Sequence, residues 1–379
     1  MATGKTFGIA LLAALLAGPA AAQTQAPIKL GLSTALSGPA AYTGQQDRWG
    51  AEMAIKEINA AGGVLGRPLQ LEVQDNACNP AQAAQSAQRL IADNATVLMG
   101  GLCSSATLAI MPIAKRQGLP FIVPISSAGA ITDQSGIGGN EWTFRTAQPD
   151  PGLARALVNF LIKDGKTKTI AIVAEDSDYG RGAAATFEKA AVAAGMSIVS
   201  TDYTPLGTPD FTSTLTRLRS QRPDALAAYV QGADTANLLR QYAASGLRSR
   251  ITGRVQFGDF PETLTSSGVL DGMVVAIPYD PRAQTAANLR FVQQFTDTFK
   301  ATPMQHSFNS YEGTNIVADA IRRAGSTEPE AIRKALETVK YRSALDADLT
   351  FDDHHQAYNN AVIMGVVDKQ VRVISLEKP

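Results

Sequence analysis

Short apolar runs of strand character alternate along this chain with stretches of helical periodicity, and they do so in two successive series. Ile28-Lys29-Leu30-Gly31-Leu32 reads as a buried strand, and Ser37-Gly38-Pro39 as the turn after it. Ala51, Ala54, Ile55 and Ile58 then recur at i, i+3, i+4 and i+7, one face of a helix. Ala61-Gly62-Gly63 supplies the glycines that end helices. Leu69 to Val73 alternates as a strand, and Asn79-Pro80 opens a helix predicted to run to about Asn94, with proline at a tolerated first-turn position. Val97-Leu98-Met99-Gly100 is a short buried strand, Ser104-Ser105 begins another helix, and Phe121-Ile122-Val123 is the next strand. Such a rhythm predicts a parallel sheet with helices on both faces.

The rhythm breaks between Gly136 and Arg145 and then restarts. Leu153, Leu157 and Phe160 mark a helix, Thr169 to Val173 a strand, and Gly182 to Ala194 a predicted helix. Ser197-Ile198-Val199 and Asp224 to Val230 are further strands. The expectation is therefore an α/β chain with two doubly wound units joined near residue 145. A length of 379 residues fits two domains at roughly 150 residues each. The last hundred residues are too few for a third such unit, so the chain must cross back and complete the first two.

Composition excludes several classes of function. The 34 basic residues balance 34 acidic ones, which leaves no electrostatic footprint for nucleic acid. Two cysteines and three histidines leave little room for a multi-ligand metal site. At the N-terminus, Lys5 precedes an apolar run from Phe7 to Gly18, and Ala20-Ala21-Ala22 follows Pro19. The run is shorter than the roughly 20 residues that span a bilayer. This pattern predicts a secretory signal peptide, residues 1–22, cleaved after Ala22, and an exported protein. No cysteine stands at the cleavage position to carry a lipid. In an oxidising compartment the two cysteines can pair. Cys78 and Cys103 follow neighbouring strands at one end of the predicted sheet, so a disulfide between them is expected.

Catalytic motifs are missing. There is no G-x-S-x-G elbow and no H-E-x-x-H. Gly165-Lys166-Thr167 lacks the earlier glycine of a phosphate loop, and Gly136-Ile137-Gly138-Gly139 follows no strand. His354-His355 sits in a polar run, Asp352 to Gln356, that predicts a solvated turn, and His306 stands alone. Neither an enzyme nor a cofactor is expected.

One constellation does carry chemistry. The strand Val97–Gly100 runs through Gly101-Leu102-Cys103 into the helix start at Ser104-Ser105. A helix start offers free N–H groups and a positive dipole end, suited to a carboxylate. Pro124-Ile125-Ser126-Ser127 is a second polar loop after the next strand. Both loops lie at strand carboxyl ends, where open α/β sheets bind ligands.

Leu36-Ser37-Gly38-Pro39, the run Ile58 to Leu69 with its Gly62-Gly63 turn, and Asp75 with Cys78-Asn79-Pro80 resemble the periplasmic branched-chain amino acid binding proteins of ABC transporters. Gly101 to Ser105 is similar to that family's first binding loop, and Glu175 to Gly182, with Tyr179-Gly180, to the loop opening its second-lobe site. Phe144-Arg145-Thr146 resembles its first hinge. The resemblance implies the type I periplasmic binding protein fold, with three crossings near Arg145–Ala147, Ile277–Tyr279 and Leu349–Phe351. The N-terminal lobe would be residues 23–146 and 279–349, and the C-terminal lobe 147–278 and 350–379. It implies that Ser104, Ser105 and the nearby N–H groups take a ligand α-carboxylate. Ile125, Ser126 and Ser127 would offer a carbonyl and hydroxyls, and Tyr179 would close over the ligand. Asp259, after a strand Ile251–Phe257, would pair with the ammonium, with Glu262 as the other register. Tyr42 and Thr43 would line the side-chain pocket. Gln231 stands where some members carry an aromatic ring, which leaves open an aromatic acid, another small carboxylate, or an amide or urea-type solute. The implied partner is a membrane permease, and the implied state a periplasmic monomer.

Overall fold

The structure is a computed structural model that describes residues 1–4 and 26–377; the predicted signal peptide and its cleavage point lie outside these. The first series comprises β1 (Ile28–Thr34), α1 (Ala41–Ala60), β2 (Leu69–Asp75), α2 (Pro80–Ala92), β3 (Val97–Gly100), α3 (Ser104–Gln117), β4 (Phe121–Val123), α4 (Gly129–Gln134) and β5 (Thr143–Arg145). Its five strands form a parallel sheet in the order β2-β1-β3-β4-β5. The central strands are buried almost throughout, whereas only Leu69 is buried in the edge strand β2. That is the burial expected of a sheet covered on both faces.

The second series comprises α5 (Asp150–Asp164), β6 (Thr169–Glu175), α6 (Asp178–Ala193), β7 (Ser197–Thr204), α7 (Thr212–Gln221), β8 (Ala225–Tyr229), α8 (Ala233–Ser245), β9 (Arg250–Gly253), α9 (Glu262–Ser266) and β10 (Val274–Ile277). Strands β7-β6-β8-β9 form a second parallel sheet. The remainder comprises α10 (Ala286–Phe299), α11 (Gln305–Ala324), α12 (Pro329–Glu337), β11 (Tyr341–Arg342), β12 (Asp348–Leu349), β13 (Ala361–Val367) and β14 (Gln370–Glu377).

The last hundred residues divide between the two lobes. Ile316 and Ile321 of α11 share a core with Leu30 and Leu32 of β1 and Ile55 of α1. Strand β13 instead pairs antiparallel with β10 and β14. Its Ala361 and Ile363 pack with Ile172 and Phe187, while Val362 and Met364 join Leu226 and Ile251 on the other face. One strand thus extends both apolar layers of the second lobe, as the period of two requires.

The end of β5 is bonded to the segment His355–Ala357, whose Ala357 packs in the same core as Leu30 and Leu32. Arg145 N donates to the His355 carbonyl at 2.8 Å, and Ala357 N to the Arg145 carbonyl at 2.9 Å. The Arg145 guanidinium is buried and donates to the Ala128 carbonyl at 2.7 Å, to Gln356 Oε1 and to Thr132 Oγ1. Burial pushes it down to about 10.

Three local expectations need correction. The second-lobe helix α6 begins at Asp178, not Gly182, because Ser177 caps it: its Oγ accepts from Gly180 N at 3.2 Å. The strand expected from Ile251 to Phe257 is β9, Arg250–Gly253, and it stops at Gly253, whose φ is +93°. The turn at His354-His355 is solvated only at His354; His355 is buried, its ring stacked 4.0 Å from that of Phe144. Cys78 and Cys103 are joined by a disulfide with a Cα–Cα distance of 5.4 Å, which ties the loop after β2 to the loop after β3.

Candidate functional site

The first wall of the site is built by two strand ends. After β3 the backbone turns through Gly100, Gly101 and Leu102, all at positive φ, into α3. A Cβ on Gly101 would collide with Thr107, so the turn requires glycine there. Ser104, at the first position of α3, accepts from Ala128 N at 3.3 Å through its hydroxyl. Ser126 Oγ donates to the Leu102 carbonyl at 3.0 Å and lies 2.6 Å from Thr107 Oγ1. These bonds hold the two serine loops side by side and leave little of the Ser126 hydroxyl for a ligand.

The second wall comes from the other lobe. The Ser177 cap puts Tyr179 in the first turn of α6, where it is buried. Gln231, just past β8, donates to Glu175 Oε1 at 3.3 Å. Because β9 ends at Gly253, Arg254 leaves the sheet. It pairs with Asp150 Oδ1 at 2.7 Å, donates to Ser127 Oγ at 2.5 Å, and lies over the Tyr179 ring at 5.6 Å. Contacts that bridge the lobes include Arg254–Ser127, Arg254 Nη2 to Gln305 Oε1 at 3.5 Å, Gln231 Nε2 to Cys103 Sγ at 3.6 Å, and Asp178 N to Ser105 Oγ at 3.4 Å. The lobes are closed on each other.

Between them lies a narrow cleft. Asp259 lines it. Its Oδ2 accepts from Gly232 N at 3.2 Å, and no cationic side chain pairs with it among the described residues. Burial raises this carboxyl to about 7. Burial likewise raises Glu175, behind Gln231, to about 7 and leaves its Oε2 unpartnered. Asp150 is also raised by burial, an effect opposed by Arg254. His306, at the start of α11, is pushed down to about 3 by burial and is neutral. Among the described residues no group of three or more histidine, cysteine or carboxylate side chains could hold a metal ion.

Most of the residues expected at a site meet here. Ser104, Ile125, Ser126 and Ser127 lie on one side of the cleft, and Tyr179, Gln231 and Asp259 on the other. Ser105 is outside it, engaged with Asp178 across the lobe boundary. Tyr42 lines a neighbouring, wider space of about 1060 Å³ that shares Gln256 and Gln305 with the cleft, and Glu262 lies there too. Thr43 is buried within α1, its hydroxyl donating to the Ala40 carbonyl at 2.7 Å, away from the residues that line either space. Sequence reasoning missed Arg254, Gln256, Gln305 and His306. The one available signal was Gly253, a glycine inside a strand pattern, which marks a break or a close backbone approach.

Two doubly wound lobes closed over a polar cleft at their strand ends define a bilobal solute-binding protein. The chain matches the family model described as "Periplasmic binding protein" over residues 27–370, and it belongs to that family. It is 28% identical over 334 residues, 86% of each chain, to the leucine-, isoleucine-, valine-, threonine- and alanine-binding protein of Pseudomonas aeruginosa. It is 30% identical over 315 residues, 82% of this chain and 83% of the other, to the Leu/Ile/Val-binding protein of Citrobacter freundii. The structure resembles, with a TM-score of 0.83 and 26% identity over 93% of this chain and 97% of the other, a solute binding protein of an ABC transporter from Rhodopseudomonas palustris BisB5 in complex with 3,4-dihydroxybenzoic acid. No helix among the described residues is long and apolar enough to cross a membrane.

Proposed function

We propose that this chain is the periplasmic receptor of an ABC importer, which binds a small amino acid of the branched-chain type between its lobes and presents the closed form to a membrane permease. It is exported through a signal peptide cleaved after Ala22, acts as a monomer, and catalyses no reaction. Its lobes are residues 23–146 with 279–349, and 147–278 with 350–379. The α-carboxylate meets Ser104, Ser127 and the first N–H groups of α3, Tyr179 closes over the ligand, and Asp259 takes the ammonium.

The observation that carries this reading is Asp259, a buried carboxylate across the cleft from the serine loops that meets no cationic side chain among the described residues. A buried carboxylate is costly unless a cation meets it, and a ligand ammonium supplies that cation. The names of the Pseudomonas and Citrobacter relatives agree with an amino acid. A second reading, a small aromatic carboxylate, draws on the Rhodopseudomonas neighbour's ligand and on the absence of an aromatic side chain at Gln231. A thermal-shift screen of amino acids against their des-amino analogues and simple benzoates separates the two, because a ligand of the folded state raises the melting temperature by mass action. Stabilisation by amino acids alone supports the first reading; stabilisation by benzoates alone replaces it with the second.

A further inference from the structure

Lobe closure brings one further pair of surfaces together, outside the cleft. At the rim, the turn after β1 carries Pro39, and two second-lobe loops, after β7 and after β8, carry Gly207 and Gly232. Pro39 sits against both glycines. A Cβ placed on Gly207 would lie 2.8 Å from Pro39 Cγ, and one placed on Gly232 would lie 3.0 Å from the Pro39 carbonyl oxygen. Carbon atoms in ordinary contact stand about 3.5–4.0 Å apart. The turn therefore fits this notch because neither glycine has a side chain.

Both sides of the notch are pinned from within their own lobes. In the first, Leu36 N donates to Asp75 Oδ1 at 2.8 Å, and Ala41 N to the Gly38 carbonyl at 3.1 Å. In the second, Gly207 N donates to Asp234 Oδ2 at 2.8 Å. Two side chains of α8 hold the residues that follow: Asn237 Nδ2 donates to the Thr208 carbonyl at 3.3 Å, and Gln241 Nε2 to the Pro209 carbonyl at 2.8 Å. Gly232 N is taken by Asp259 Oδ2. Neither side is free to swing away, so what fills the notch decides how far the lobes shut. A protein that holds its ligand only when shut has an affinity scaled by the fraction that reaches the shut form.

We infer that the Pro39 turn and the notch at Gly207 and Gly232 form a closing stop: the empty notch lets the lobes shut fully, and filling it weakens the ligand from outside the ligand site. The inference rests on closure of the lobes and not on which solute binds. A cross-link tests it without ligand. A Cβ on Gly207 would stand 3.8 Å from Pro39 Cβ, the spacing found in disulfides. Pro39→Cys combined with Gly207→Cys should therefore oxidise to a second disulfide, identified by peptide mapping. X-ray scattering should show the oxidised protein held compact, with no further compaction by ligand. Two thiols still free after oxidation, or an oxidised protein as extended as the reduced one, overturns the inference. Calorimetry with leucine, or with benzoate if leucine does not bind the parent, tests the notch itself. Gly207→Ala should weaken that ligand at least about fivefold through the closed fraction, and adding Pro39→Gly should restore most of the loss. The alanine also strains a φ of +87°, so the ligand-free melting temperature should fall. Pro39→Gly should leave that fall in place while it rescues binding. Undiminished affinity in Gly207→Ala, or a loss that Pro39→Gly does not relieve, overturns the inference. The same rescue seen with benzoate alone would keep it and defeat the amino-acid reading. If neither solute binds, that reading fails and the cross-link decides the inference.

Discussion

The two walls of the cleft are built on opposite plans. On the first, Ser104 and Ser126 spend their hydroxyls on each other's loops: Ser104 on Ala128 N, Ser126 on the Leu102 carbonyl. On the second, a buried ion pair, Arg254–Asp150, stands beside Asp259, a buried carboxylate with no ion-pair partner among the described residues. The first wall is finished before a ligand arrives. The second is costly as it stands and is completed by what binds. The difference assigns affinity and selectivity mainly to the second wall, and a fixed anchoring geometry to the first.

The largest expected effect on folding is at the ion pair. Arg254→Met strands Asp150 in the interior and should cost about 3–5 kcal/mol in denaturant unfolding, whereas the pair Arg254→Met with Asp150→Leu should recover much of that loss. A double variant no more stable than the single one would mean that the pair is not the element that braces this wall. Next comes the disulfide on the other side. Reduction of Cys78–Cys103, which closes a separation of 25 residues, should lower stability by roughly 3 kcal/mol. A reduced protein with an unchanged unfolding midpoint would refute it.

The pH dependence contrasts the walls directly. Asp259 and Glu175 are raised to about 7 in the folded ligand-free protein. For acids raised on folding, the contribution to stability is present below the unfolded value, near pH 4, and is lost as pH rises to about 7. Amino-acid affinity runs the other way, because the ammonium needs an ionised Asp259. It should rise up to about tenfold per pH unit below pH 7 and level off above, with proton release on binding at acidic pH. A flat profile between pH 5 and 8 would remove Asp259 from the binding equilibrium. The smallest effect is on the finished wall: Ser126→Ala should cost only about 1 kcal/mol of stability and little affinity. A loss of affinity there as large as that of Asp259→Asn would dissolve the contrast.

The first wall was legible in the sequence for a physical reason. A short apolar strand ending in Gly-Gly and followed by serines is a local signal, and Ser104 and Ser127 sit where it puts them. The start of α6 was not legible, because Gly180 and Gly182 argue against a helix while the Ser177 cap and packing of Ala183, Ala184 and Phe187 on β6 override them. Arg254 and Gln256 were hidden by an apolar pattern that runs on past Gly253, where the backbone turns out of the sheet. Gln305 and His306 reach the cleft from the segment that crosses back, a placement that only tertiary packing supplies. Tyr42 was displaced outward for the same reason: the cleft closes on residues far from it in sequence. The fold was more legible than the site, since β-α alternation is set by local periodicity and the second wall is not.

The central claim is that the cleft is made for a zwitterion whose ammonium meets Asp259. The direct measurement is calorimetric titration of the amino acid that binds best, and of its des-amino analogue, into the parent and into Asp259→Asn, which keeps the shape and removes the charge. Losing the partner of a buried charge pair costs about 3–5 kcal/mol, so the amino acid should weaken more than a hundredfold while the des-amino analogue changes little or gains. A loss of less than about tenfold for the amino acid, or a parent protein that prefers the des-amino analogue, would contradict it.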